Sequence, residues 1–115
     1  MMNADHPCAR SVRQIMNIFG GKWSFAIICE LHAGPKRFNE IRNDLGISTK
    51  SLSDILKNLE ANGVVTRTVH PSAPITVEYA LTEKGSDFEA VFIKMSEWGM
   101  KWLNQTPPGE SVLHP

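Results

Sequence analysis

The chain has little cysteine, no long apolar run, no net charge and no ordered spacing of histidines. Cys8 and Cys29 are its two cysteines in 115 residues, too few for the disulfide framework of a small secreted domain. No apolar stretch approaches the roughly 18 residues that a membrane span requires. Met1 to Pro7 carries neither the basic nor the apolar region of a signal peptide, so a cytoplasmic protein with no membrane partner is expected. Twelve Lys and Arg balance twelve Asp and Glu, so the chain sets up no global field for a polyanion. His6, His32, His70 and His114 are scattered, and His6 with Cys8 alone does not make a zinc site. Neither a Gly-rich phosphate loop nor a nucleophile–base pairing is present. No enzyme, metal centre or bound cofactor is therefore expected. What remains is a binding protein.

What the chain does have is helical periodicity. Its 42% apolar and 21% charged content fits one folded domain. Residues 1–10 show no period and read as a flexible lead-in to a domain over 11–104. A flexible tail is expected over 105–115, around Thr106-Pro107-Pro108-Gly109. Val12, Ile15, Met16 and Phe19 form a stripe at i, i+3, i+4 and i+7, and Gly20-Gly21 ends that helix. The next helix starts near Lys22 and is apolar nearly all round through Leu31. It reads as the central core helix, with Cys29 an inert core residue. Ala33-Gly34-Pro35 stops it. Phe38, Ile41 and Leu45 mark a short third helix.

Ile47 to Gly63 is the stretch around which the rest is organised. Ser48 is a good N-cap, and Ile47 and Leu52 have the spacing of a hydrophobic staple. Leu52, Ile55, Leu56 and Leu59 make one apolar stripe, and Gly63 is a natural stop after Asn62. Thr49, Lys50, Ser53, Asp54, Lys57 and Asn58 project from the opposite, polar face. For an isolated helix such a face is most often simply solvated. Its neighbours change that reading. Only Gly46-Ile47-Ser48 separates it from the third helix, which makes a helix-turn-helix with this element second.

After Gly63 the period changes from 3.6 to 2. Val65, Arg67 and Val69 share one face of a first strand, and Val77, Tyr79 and Leu81 one face of a second. Pro71 to Ile75 is too long and proline-rich for a two-residue turn, so the hairpin should project as a wing. Thr82 then caps a last helix, with Phe88, Val91, Phe92, Met95, Trp98 and Trp102 along one side. The fold class is mainly α with a small antiparallel β-hairpin (α+β), a winged helix-turn-helix. The N- and C-terminal helices should form a dimer interface through Val12, Phe88, Phe92, Met95, Trp98 and Trp102.

Gly20-Gly21-Lys22-Trp23, Pro35-Lys36-Arg37-Phe38 and Val77-Glu78-Tyr79, with VEYALTEKG, resemble the HxlR-type winged-helix transcriptional regulators. The resemblance runs from about Val12 to Met100. It implies a homodimer on double-stranded DNA, reading a pseudo-palindromic operator with helix 48–62 and wing 64–81. Relatives often carry glutamine or arginine where this chain has Thr49, Asp54 and Ile55, so the resemblance implies no particular operator. Some relatives respond to an oxidant or electrophile through a cysteine just before the first helix. Cys8 lies in that region, slightly farther from Trp23 than usual, and the nearby cations Arg10 and Arg13 would favour a thiolate. An exposed, unremarkable thiol is the alternative.

The DNA-contacting residues expected are Ser48, Thr49, Lys50, Ser53 and Lys57 on the helix, and Arg67 and His70 on the wing. Lys36 and Arg37, at the start of the third helix, are expected to clamp phosphates. Lys50 could reach guanine O6 and N7, while Asp54 could accept only from donors such as cytosine N4. The competing class is a winged-helix protein–protein interaction module, which zero net charge permits. Steep salt dependence distinguishes DNA binding from it.

Overall fold

A proline at the first helical position and a side-chain cap start the first helix earlier than its apolar stripe does. The computed structural model describes residues 6–103, so the expected tail over 105–115 lies outside the described residues. Helix α1 spans Pro7–Phe19, and His6 Nδ1 accepts the Cys8 backbone N–H at 3.1 Å. Proline costs nothing there, because the first turn leaves its N–H groups unpaired in any case. The lead-in therefore does not extend to residue 10, and Cys8 lies inside the first turn of α1 rather than before it.

Helix α2 (Ser24–His32) follows, with Ile27, Ile28 and Leu31 buried. The Ser24 hydroxyl donates to the Gly20 carbonyl at 2.9 Å, which satisfies the one buried polar side chain among the described residues. Cys29 is exposed, a correction to its expected core position. Ile27, Ile28 and Leu31 set the inward direction, and position 29 points away from all three at 100° per residue.

Strand β1 (Lys36–Arg37) leads into α3 (Phe38–Leu45), and α4 spans Thr49–Ala61. Between α3 and α4, Gly46 takes φ +68°, where glycine carries no Cβ penalty. Strands β2 (Val65–His70) and β3 (Thr76–Leu81) pair antiparallel, with Val65 opposite Leu81, Arg67 opposite Tyr79 and Val69 opposite Val77. Those pairs are the same-face sets expected from the alternation. The sheet has a third strand, in the order β1-β3-β2, with Lys36 opposite Tyr79 and Arg37 opposite Glu78. A two-residue strand has no period to read.

The last helical stretch is two helices, α5 (Glu83–Asp87) and α6 (Glu89–Trp102), with Thr82 capping the first as expected. The chain turns between them at Phe88. The Phe88 ring stacks on Phe19 at 4.2 Å between centroids, and Phe92 meets Phe25 edge-on at 5.2 Å. Phe88 and Phe92, both half-buried, thus pack one side against the core at α1 and α2, unlike the more exposed members of the expected dimer seam. Val91, Met95, Trp98 and Trp102 stay exposed, and no residue of α6 is buried. Val12 and Met16 on α1 are exposed as well.

Candidate nucleic-acid interface

Helix α4 is held by its inner face and by its ends. Leu52, Leu56 and Leu59 are buried in the core, and Ile55 packs partly against it. Ser48 Oγ accepts the Ser51 N–H at 3.1 Å. That lone pair is committed to the cap, while the hydroxyl keeps its own proton to donate. At the other end the Asn58 amide donates to the Ile18 carbonyl of α1 at 3.1 Å. Asn58 is therefore a brace, not part of the outward reading face. Arg42 on α3 donates to Thr49 Oγ1 at 3.4 Å and ties the two helices of the helix-turn-helix together. Sequence reasoning missed both, because each polar group finds its partner on another element.

The outward face carries Thr49, Lys50, Ser53, Asp54 and Lys57, all exposed except the half-buried Ser53. Lys50 Nζ lies 2.9 Å from Asp54 Oδ2. The hydrogen bond to Asp54 raises the Lys50 ammonium above its ordinary range, and the same bond lowers the Asp54 carboxyl. Both are charged at neutral pH.

Beside α4, an open groove of about 730 Å³ runs between the start of α3, the outward flank of α4 and the hairpin. Arg37, Ser53, Lys57 and Arg67 line it, with Glu40 and Glu60, over Phe38, Val77 and Tyr79. Its three cations come from β1, α4 and β2. Arg37 is loosely paired with Glu40, at 3.9 Å. Among the described residues neither Lys57 nor Arg67 has a carboxylate at ion-pair distance. His70 sits farther along β2, with Nε2 3.4 Å from Glu78 Oε1 on β3.

Lys36, expected as a phosphate clamp, is held differently from the groove cations. Its ammonium lies 2.7 Å from Glu30 Oε2 and 3.2 Å from Asp44 Oδ2, with the side chain only 25% exposed. The bonds to Glu30 and then Asp44 raise its pKa. Two carboxylates already neutralise this charge, so Lys36 fastens β1 to α2 and α3 instead of facing a ligand.

The free cation gives a direct test. Arg67→Ala should weaken binding to all duplex DNA alike and reduce the slope of log K against log salt by about 1 for each subunit bound. A salt titration by fluorescence anisotropy measures it, and an unchanged slope would remove Arg67 from the contact.

A family model described as HxlR-like helix-turn-helix matches residues 18–107. The chain is similar to the transcriptional regulator YodB of Bacillus subtilis, 42% identical over 97 residues and covering 84% of each chain. The reduced form of YodB superposes with a TM-score of 0.74 at 40% identity, over 96% of this chain and 100% of that one. The redox regulator HypR in its reduced form gives a TM-score of 0.73 at 38% identity, over 79% of this chain and 91% of that one. YodB has also been solved diamide-treated and quinone-bound.

Proposed function

Because the chain belongs to the HxlR-like helix-turn-helix family, we propose that it is a DNA-binding transcriptional regulator acting in the cytoplasm. It binds rather than catalyses. The observation that carries this reading is the meeting of Arg37, Lys57 and Arg67 around one groove, beside the outward face of α4, in a chain with no net charge. Cations gathered there supply the sequence-independent attraction to phosphate. The polar groups at the start of α4 supply base contacts, since a recognition helix offers its N-terminal outward residues to the major groove. The exposed apolar side chains of α1 and α6 support a homodimer, and a two-fold dimer reads a pseudo-palindromic operator. No described helix is long and apolar enough to cross a membrane.

Footprinting upstream of its own and neighbouring genes, followed by a salt titration on the protected site, tests the reading. Affinity should fall by orders of magnitude between about 50 and 200 mM salt. Affinity that ignores salt would leave a protein–protein module in its place.

The regulator is further proposed to respond to electrophiles and oxidants through Cys8. The support is an exposed thiol in the first turn of α1, next to the proposed dimer face, together with similarity to YodB and HypR. With a quinone, the Cys8 sulfur adds to a ring carbon. A C–S bond forms, and the thiol proton and the hydrogen displaced from the attacked ring carbon end on the two ring oxygens, giving the hydroquinone thioether. Quinone should change operator affinity in the wild type, while Cys8→Ser should bind normally and no longer respond. An identical response in Cys8→Ser would transfer the role to Cys29, the other exposed thiol.

A further inference from the structure

Lys50 and Asp54 stand in a charge order that helix stability does not explain. Lys50 lies in the first turn, where the positive end of the helix dipole disfavours a cation, and no acid occupies that turn. Its acid partner follows four residues later, the less favourable order for such a pair. The side chains are 86% and 60% exposed, so packing does not select them either. A carboxylate on this face also opposes the approach of a polyanion. Something other than folding accounts for it.

We propose that Lys50 and Asp54 act together as a donor–acceptor head that reads the major-groove edge of one G·C base pair in each half-site, with Asp54 the specificity-determining residue. This rests on α4 being the recognition helix. The ammonium and the carboxylate oxygen are 2.9 Å apart. In a G·C pair, guanine O6 and cytosine N4 are joined by a hydrogen bond of about that length. Each still presents its remaining hydrogen-bonding group to the major groove. Lys50 donates to guanine O6 and N7, and the cytosine N4–H donates to Asp54. The head thus meets its complement without coming apart. A T·A pair in the same orientation also offers an acceptor and a donor, thymine O4 and adenine N6, but it replaces the adjacent guanine O6 and N7 by a single acceptor beside the thymine methyl. The inverted C·G pair turns a donor toward the lysine and an acceptor toward the carboxylate. Guanine and thymine offer the carboxylate no major-groove donor at all. Where phosphate oxygens or the acceptor edges of guanine and thymine lie opposite Asp54, they repel it. It therefore acts by penalising wrong sites as much as by favouring the right one.

The test is selection from randomised duplex DNA with the full chain as wild type, Asp54→Ala and Lys50→Ala. The wild type should enrich a position as G·C in each half-site, and both variants should show that preference weakened while other positions keep theirs. Inverting that G·C to C·G, which sets guanine O6 against the carboxylate, should weaken the wild type about 5- to 150-fold and Asp54→Ala by a smaller factor. Asp54→Ala should also bind unrelated duplex more tightly than the wild type does. N4-methylcytosine there keeps the base pair but removes the groove-facing N–H. It should weaken the wild type and leave Asp54→Ala unaffected, whereas 7-deazaguanine should weaken the wild type and spare Lys50→Ala. A preference undiminished in Asp54→Ala, or indifference of the wild type to N4-methylcytosine, overturns the proposal. Enrichment of no sequence by the wild type, with salt-insensitive binding, would overturn the DNA-binding reading itself and the head with it.

Discussion

Trp98→Glu should turn a dimer into a folded monomer that no longer holds its operator. Trp98 is 59% exposed on α6, a helix without a buried residue, and Met95 and Trp102 are exposed near it. Val12 and Met16 add exposed apolar surface on α1. Such side chains, left in water by one chain, are the usual material of an interface core. A buried tryptophan at the centre of an interface typically contributes about 2 kcal/mol or more. Two-fold symmetry places two copies of each substitution in one dimer. The combined loss, about 4 kcal/mol before the cost of desolvating two carboxylates, raises the dimer dissociation constant roughly a thousandfold. Operator affinity falls with it, because linking two readers is worth about 10²- to 10⁴-fold over one.

Sedimentation velocity at micromolar protein would show the change, and a retained melting transition would show that the monomer folds. Ile75→Glu, at a still more exposed apolar residue on the wing tip, should remain dimeric. A wild-type monomer, or a Trp98→Glu dimer, would end the assignment of this face.

That face also marks where the sequence stopped being readable. Helix α4 was legible almost to the residue, because its signals are all local: the Ser48 cap, the leucine stripe, and Gly63 at φ +73°. The hairpin register was legible too, since alternation pins which residues share a face. An apolar stripe on the last helix did not say which of its members face inward. Phe88 and Phe92 pack against the core and Trp98 does not, and the difference depends on where Phe19 and Phe25 lie. Strand β1 has only its partner Tyr79–Glu78 to define it, more than forty residues away in the chain. The candidate site shows the same division. Arg37, Lys57 and Arg67 were each recognisable as cations, but their convergence on one groove is tertiary. Lys36 looked identical to them in sequence until Glu30 and Asp44 closed around it.

Gly85→Val should be strongly destabilising, and the reason lies in how α5 is fastened to the end of α4. Thr82 Oγ1 accepts the Gly85 N–H at 3.1 Å, donates to the Gly63 carbonyl at 2.6 Å, and its backbone N–H donates to Val64 at 3.0 Å. Those bonds draw Gly85 against the chain leaving α4. A Cβ there would collide with the Val64 carbonyl oxygen and crowd Leu81 and Val64 side chains at 3.1 and 3.2 Å. The obstacle is backbone, so it cannot rotate aside. Relief requires α5 to lift, which undoes the Thr82 cap, and overpacking of about 1–3 kcal/mol adds to a cap loss of about 1 kcal/mol. For a domain of this size the sum lowers Tm by about 10–25 °C, read at fixed protein concentration because a dimer's melting depends on it. Gly85→Ala should fall between wild type and Gly85→Val. Operator binding should fail well below the melting point of the core, since Gly63 and Val64 also join the recognition helix to the wing. A Gly85→Val protein melting within about 2 °C of wild type would mean that this junction is not the tight fit its geometry describes.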